Sequence, residues 1–445
     1  MRVPLTPLDG RYYNKVEPLV SYLSESALIK YRVLVEVVWL KLLCAQLGKP
    51  ISEDVTKKLD ELVANFDESN CQQVREIEKS INHDVKAVEI WLCDRLNEIN
   101  QPSLIPFVHF GRTSEDINNV AYALMLKGAK ESVLLPKLVN TQTILVKMAS
   151  DYADMPMLSR THGQPASPTT FGKEVAVFAR RLSTQIENIK NVPVLAKFNG
   201  ATGTFGADFV AYPDIDWPTV MKSFIESLGL EYNPLTTQTE PHDWIARLNN
   251  EFALSASIAT DLCRDFWAYI SMGYLKQIVD PSQVGSSTMP HKVNPIDFEN
   301  AESNFGLANA LLRHLSEKLP ISRLQRDLSD SSALRSLSTA YGHYYLALDS
   351  LELGLSKVYA DSEQMIVDLK NEWSVLTEAV QTIMRKNGIS DAYNQMKDLS
   401  RGNPLSKEAL QGFIQSLDID NNDKQTLLNL SPENYTGLAS ILAKD

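Results

Sequence analysis

The chain has 445 residues, 44% hydrophobic and 22% charged, and its 43 Lys and Arg against 55 Asp and Glu leave a formal net charge of −12. That balance excludes intrinsic disorder and a generally basic nucleic-acid binder, though a local cluster of Arg and Lys can still make a positive pocket. Cys44, Cys71, Cys93 and Cys263 form no CxxC pair, the start MRVPLTPLDGR has no apolar core, and the most apolar stretch, Val33 to Cys44, is broken by Glu36 and Lys41. These features predict a cytoplasmic chain with no disulfide framework, targeting segment or membrane contact.

Large apolar residues recur at helical spacing through the middle of the chain. Leu134, Leu138, Leu145, Met148 and Tyr152 form the first stripe, and Phe171, Val175, Phe178, Leu182, Ile186 and Ile189 the second. Leu248 to Ile270, Phe298 to Leu315 and Tyr344 to Val358 repeat the pattern. Strand signals are poor, with only Val194 to Phe205 hinting at a short extended excursion, so the predicted fold is all-α. Helices of ~20 to 30 residues are ~30 to 45 Å long, so the centre should be an elongated bundle whose apolar flanks call for oligomerisation.

Gly, Pro, Ser and Thr collect between these helices in three predicted loops, SRTHGQPASPTT (159 to 170), FNGATGTFG (198 to 206) and DPSQVGSSTMPHKVNP (280 to 295). Shorter helical patterns after Asp361 to Ile366 predict a small C-terminal domain. The predicted division is 1–111, an N-terminal helical domain; 112–364, a central bundle carrying the loop 282–295; and 365–445.

The segment GSSTMPHKVNP, Gly285 to Pro295, ends in Asn294 and Pro295, a cap and first-turn pair that opens a helix. Its free N–H groups beside Lys292 make a good place for a carboxylate. His162 lies in the predicted loop before a long helix, where a lone His is more often solvated than catalytic. His83 has Asp84 beside it, to orient the ring or to cap the next helix. Thr113 and Asp116 have capping-box spacing, and the Thr113 and Ser114 hydroxyls stand at a second anion-friendly helix start. Arg326, Ser331 and Arg335 form a cationic, hydroxyl-bearing patch suited to a phosphate, with salt bridges to Asp327 or Asp330 as the equal alternative. No two histidines have the helical spacing of a metal pair, so a metal site is disfavoured.

Taken together these segments resemble the fumarase/aspartase superfamily, whose most recognisable feature is a GSSxMPxKxNP loop. His291 in MPHKVNP, with DGRY (9 to 12), NHDVKAVE (82 to 89), TSEDINN (113 to 119), SRTHGQPA, TTQTEPHD (236 to 243) and QRDLSDSSALR, resembles the branch of that superfamily acting on adenylosuccinate. Fumarases and aspartases usually have Gly at position 291 and argininosuccinate lyases Gln. The resemblance implies an all-α homotetramer of three-domain chains around a twenty-helix core, each site shared by three subunits. It also implies a β-elimination that releases fumarate from small-molecule nucleotide substrates, with no metal or organic cofactor.

In that resemblance Ser286 is the base and His162 the acid for the departing nitrogen. Lys292 stabilises the alkoxide and the aci-carboxylate dianion, and Glu299 orients His162. Thr113, Ser114, Ser287, Lys292 and Asn294 fall to the succinyl carboxylates, and Arg11, Tyr12, Arg326, Ser331 and Arg335 to the nucleotide. Asn82, His83, Asp84, Gln238 and Asn300 fall to the remaining polar contacts. The alternatives are a superfamily lyase with a different fumarate adduct, or a helical scaffold that has kept the fold. A scaffold has no need of Ser286, Lys292 and His162 together.

Overall fold

A computed structural model describes residues 3–278, 289, 292–400 and 405–445. It is mostly helical and divides into two compact units, each gathered from separated stretches of sequence. The first is Met1–Leu138, Gln185–Ser257 and Ser303–Asp349, and the second Val139–Thr184, Ile258–Glu302 and Ser350–Asp445.

The first unit opens with helices α1 (Glu25–Gln46), α2 (Glu68–Ile81), α3 (Asp84–Glu98) and α4 (Ser114–Ala129). Helix α1 starts where the Ser24 hydroxyl accepts from Ala27 N–H at 3.0 Å. It is buried on several faces, including Val33, Val35, Val37, Trp39 and Leu40, which is why its sequence reads as an apolar run rather than a stripe. Val33, Val37, Leu40 and Cys44 share a core with Val88, Trp91, Leu92 and Leu96 of α3. Trp39 meets Phe198 and Phe224 edge-on, with ring centres 5.1 and 5.6 Å apart.

Each long apolar stripe forms a helix: α5 (Leu135–Asp151), α6 (Phe171–Lys190), α7 (Asp243–Ser271) and α8 (Ile296–Lys318), then, after the short α9 (Ser329–Leu334), α10 (Leu337–Ser356). Val358 overruns α10 and lies instead in a short strand. Helix α8 begins one residue later than the Asn294–Pro295 cap predicts. The Pro295 carbonyl accepts from Phe298 and Glu299 N–H at 3.2 and 3.3 Å.

The segment SRTHGQPASPTT, expected as a loop, belongs to an antiparallel hairpin of β1 (Pro156–Thr161) and β2 (Gln164–Thr170). Its two turn residues, His162 and Gly163, have φ of 53° and 74°, the left-handed pair that suits a tight hairpin. Pro165 and Pro168 read as strand breakers, yet a two-stranded ribbon has open edges that tolerate a missing N–H. The extended excursion after Val194 is realised as β3 (Leu195–Ala196), parallel to β4 (Glu231–Tyr232). Strand β5 (Leu275–Gln277) pairs antiparallel with β6 (Val358–Ala360).

The second unit contains this hairpin and the C-terminal helices. Leu158 of β1 joins Leu369, Val380, Met384, Leu410 and Ile414 in one core. The predicted short helices run over Ser362–Lys370, Thr377–Lys386, Ala392–Ser400, Lys407–Ser416 and Asn421–Leu428. Asp361, Ser406 and Asp420 cap three of them.

Gly172 lets α6 start directly against the end of α5. A Cβ there would lie 2.6 Å from both Ala153 N and Tyr152 C, inside van der Waals contact with rigid backbone. Gly172→Ala should therefore destabilise the protein by about 1 to 3 kcal/mol, the usual cost of overpacking. A lowered urea midpoint without a change in m value would show it.

Candidate active site

The candidate site in the first unit begins with a buried charge cluster. Arg112, just before α4, lies over both Trp39 and Phe198, which meet each other edge-on, with its guanidinium carbon 5.1 and 4.9 Å from their ring centres. It donates to the Phe198 carbonyl at 2.5 Å and pairs with Asp208. Asp116, in the first turn of α4, takes Lys197 Nζ at 2.8 Å, and all four charged side chains of these two pairs are fully buried. Burial above all pushes the Lys197 ammonium below its ordinary range, opposed by Asp116, and pushes the Asp208 carboxyl up, opposed by Arg112. Asn119 completes the joint: its side chain accepts from Lys197 N–H at 2.8 Å and donates to the Lys197 carbonyl at 3.0 Å.

These pairs fix the N-terminus of α4, where Thr113 and Asp116 form the expected capping box. Above it opens a cavity of about 800 Å3. Thr113 and Ser114 line it from α4, Asn82, His83 and Asp84 from the start of α3, Gln238 from the loop before α7, and Arg326, Ser331 and Arg335 from the turn around α9. Two helix N-termini and two guanidinium groups thus meet one space, an arrangement that favours an anion.

The walls are held by further polar contacts. Asp84 takes Arg32 at 2.7 Å and Arg335 at 3.1 Å. Burial would raise its carboxyl, but Arg32 above all, then Val85 N–H and Arg335, hold it below the ordinary carboxylate range. His83 itself caps α3, accepting Lys86 N–H on Nδ1 at 3.1 Å. The neutral ring therefore carries its proton on Nε2. Asp84, offered in the sequence reading as that cap, is instead the first residue of the helix and an ion-pair partner. Gln238 donates to the Ala201 carbonyl at 3.0 Å and accepts from Arg326 Nη1 at 3.3 Å. Gly203 keeps the Ala201 turn close to the Gln238 loop, because at its φ of 76° a Cβ would collide with the Thr236 carbonyl.

Other expected site residues lie elsewhere. Arg11 sits 5.8 Å over the ring of Tyr12, which packs beside Leu8, Val16 and Leu346 and does not line the cavity. His162, Lys292, Asn294, Glu299 and Asn300 belong to the second unit. His162 is exposed at the β1–β2 turn, Glu299 accepts from Trp267 Nε1 at 3.1 Å, and Asn300 accepts from Ser350 at 2.8 Å. Lys292 is exposed, and its N–H donates to the Met289 carbonyl at 3.0 Å. Ser286, Ser287 and His291 lie outside the described residues.

Other lining residues were not singled out individually by the sequence: Glu78, Asn118 and Thr202, with exposed Leu324 and Leu328. Arg32 was detectable in principle, as a cation that is 3% exposed at the edge of an apolar run. Beneath the cavity wall, Glu115, His242 and Asp330 present oxygen and nitrogen atoms all within 4.8 Å of one another, a spacing that suits a metal. Arg326 Nη2 lies 3.3 Å from Glu115 Oε2, however, so a guanidinium already supplies the positive charge there.

Comparison with known proteins places this geometry. A Lyase family model matches residues 10–307, and an Adenylosuccinate lyase C-terminal model matches residues 322–436. The chain is 45% identical to the adenylosuccinate lyase of Haemophilus influenzae, over 98% of this chain and 96% of the relative. It is 44% identical to the Escherichia coli K12 adenylosuccinate lyase, over the same shares. The chain belongs to the adenylosuccinate lyase family. The fold is shared more widely: a fumarate lyase from Mesorhizobium superposes with a TM-score of 0.77 at 19% identity, covering 97% of this chain and 96% of that one. A 3-carboxy-cis,cis-muconate lactonizing enzyme from Pseudomonas putida gives 0.76 at 19% identity, covering 96% and 95%. The C-terminal match extends the resemblance into a region where the sequence offered no readable motif.

The buried pairs under α4 make a direct prediction. Lys197→Met removes the nearer cation from buried Asp116, leaving only Arg112 at 3.9 Å, and should cost about 3 kcal/mol. Denaturant unfolding measures it, and the loss should exceed that of removing an exposed pair such as Lys58–Asp54.

Proposed function

We propose that this protein releases fumarate by β-elimination from adenylosuccinate, giving AMP, and from succinylaminoimidazole-carboxamide ribotide, giving the free carboxamide ribotide. Near-full-length identity to adenylosuccinate lyases supports the reaction. The observation that carries the substrate assignment is the convergence of Arg326, Arg335, Ser331 and two helix N-termini on one cavity. A nucleotide phosphate uses such a set of donors, whereas an amino-acid adduct brings no phosphate to the cavity-facing side of the two arginines.

The reaction needs a base for the proton beside a carboxylate, a cationic environment for the resulting dianion, and an acid for the departing nitrogen. We assign these roles to Ser286, Lys292 and His162, with Glu299 as the carboxylate that orients His162. Ser286 takes the carbon-bound proton, the C–N electron pair returns to nitrogen, and His162 supplies the proton that nitrogen needs to leave. Lys292 and the start of α8 offer positive charge to the carboxylate next to the reacting carbon. In this assignment Thr113, Ser114, Ser287 and Asn294 bind the succinyl carboxylates. Arg11 and Tyr12 join the nucleotide set, and Asn82, His83, Asp84, Gln238 and Asn300 serve the remaining polar groups.

The active form in this reading is a homotetramer with shared sites and three domains per chain, working in the cytoplasm. Exposed Val139, Val146, Val177, Leu254, Trp267, Leu307 and Leu353 on the long helices support coverage by other copies. The free cysteines fit a reducing compartment. No helix among the described residues is long and apolar enough to cross a membrane.

Ultraviolet-monitored turnover of adenylosuccinate, with fumarate identified as product, tests the reaction. Arg335→Ala should raise KM about tenfold while lowering kcat much less, as expected for a contact made equally in ground and transition states. An unchanged KM for both nucleotide substrates would remove the phosphate assignment. Site sharing has a separate test: inactive Ser286→Ala and inactive His162→Ala proteins should regain activity when mixed and allowed to exchange subunits. Exchange without recovered turnover would refute it.

A further inference from the structure

Behind the cavity wall lies a charge network that the elimination chemistry leaves unused. His242 is 3% exposed, Glu115 2% and Asp330 4%. The His242 ring Nε2 is 3.5 Å from Asp330 Oδ2, and the His242 backbone N–H donates to Glu240 Oε2 at 2.7 Å. Arg326 reaches into the same cluster: its Nη2 is 3.3 Å from Glu115 Oε2 and 3.9 Å from Asp330 Oδ1, while its Nη1 turns to Gln238 in the cavity wall. Arg326 therefore has its back in a buried anionic clamp and its front at the cavity. Asp330 also takes the backbone N–H of Ser331, another cavity residue, at 2.7 Å.

We propose that His242 is a positioning residue for anion binding in the cavity, acting through Asp330 and Glu115 on Arg326. The proposal rests on reading that cavity as the nucleotide site. Its physical basis is charge balance. Glu115, Asp330 and Glu240 surround His242 with little water to screen them, and two buried carboxylates gripping one guanidinium repel each other. An imidazolium between them relieves that repulsion and keeps both charged, so both hold Arg326. The Glu115 carboxyl is raised to about 7, burial outweighing the opposing pull of His242 and Arg326. Burial would lower the His242 value, but Asp330, Glu115 and Glu240 together raise it. Removing the imidazole favours protonation of Glu115, which slackens one arm of the clamp and lets Arg326 leave the orientation an anion needs.

The test is a double-mutant cycle in the full-length enzyme, reading KM for adenylosuccinate and inhibition by AMP. His242→Gln should raise KM about tenfold with kcat changed much less, the size of one weakened charged contact. In an Arg326→Ala background the same substitution should leave KM unchanged, because His242 then has nothing to position. Equal effects of His242→Gln with and without Arg326, or an unchanged KM in the folded single variant, would overturn the proposal. Should His242→Gln fail to fold, Asp330→Asn cuts the same link from the α9 side and is read in the same cycle. Arg335→Ala is run in parallel. If it too leaves KM unchanged, the nucleotide reading of the cavity has failed; if it raises KM while the cycle is additive, only the role of His242 has.

Discussion

The architecture of the cavity depends on two ion pairs that water never reaches. Arg112 with Asp208 and Lys197 with Asp116 lie fully buried beneath the first turn of α4. Buried pairs contribute little net stability against an apolar replacement of similar shape, but an unmatched buried charge is very costly. The cluster therefore has one satisfactory arrangement, and that arrangement fixes the 197–200 segment to the helix start. Thr113 and Ser114 inherit their position from it, as does the Ala201 turn that receives Gln238. Trp39 and Phe198, which share the Arg112 guanidinium, tie the same joint to α1.

From that joint outward, the cavity trades stability for readiness to bind. Arg335 is half-exposed and shares Asp84 with the buried Arg32, so its pairing is weak and a ligand anion can compete for it. Arg326 is clamped from behind and faces the cavity with what remains of its donor set. The two arginines thus play different parts: one is a recruitable surface cation and the other a fixed one. Helix N-termini at His83 and Thr113 add partial charges that need no reorganisation when an anion arrives.

Much of this organisation was legible from residue order. The long stripes at Phe171 to Ile189 and Leu248 to Ile270 became helices because one apolar face repeated over five or more turns admits few other solutions. The Thr113–Asp116 capping box was readable because capping is local, reaching only three residues along the chain. The β1–β2 hairpin was missed because its apolar face is short and two prolines sit in a ribbon whose open edges tolerate them. The cap falls to His83 rather than Asp84 because either side chain can cap a helix, and only the fold brings Arg32 and Arg335 to the Asp84 carboxylate. Of the His242 network only the Arg326–Asp330 pairing was readable, from its four-residue spacing. Nothing in the spacing of positions 115 and 242 shows that they join it.

The sequence by itself determined the helical class, the extent of the long helices, the cationic residues Arg326 and Arg335 and the resemblance carried by the GSSTMPHKVNP segment. These follow from periodicity and local chemistry, whose range is a few residues. Only the tertiary structure decided that α3, α4 and the α9 turn converge on one cavity, that Arg112 and Lys197 are structural while Arg326 and Arg335 face the cavity, and that His242 lies buried among three carboxylates. Those outcomes turn on burial and on contacts between residues tens to hundreds of positions apart. The cost or benefit of a charge depends on the dielectric and the partners that folding gives it.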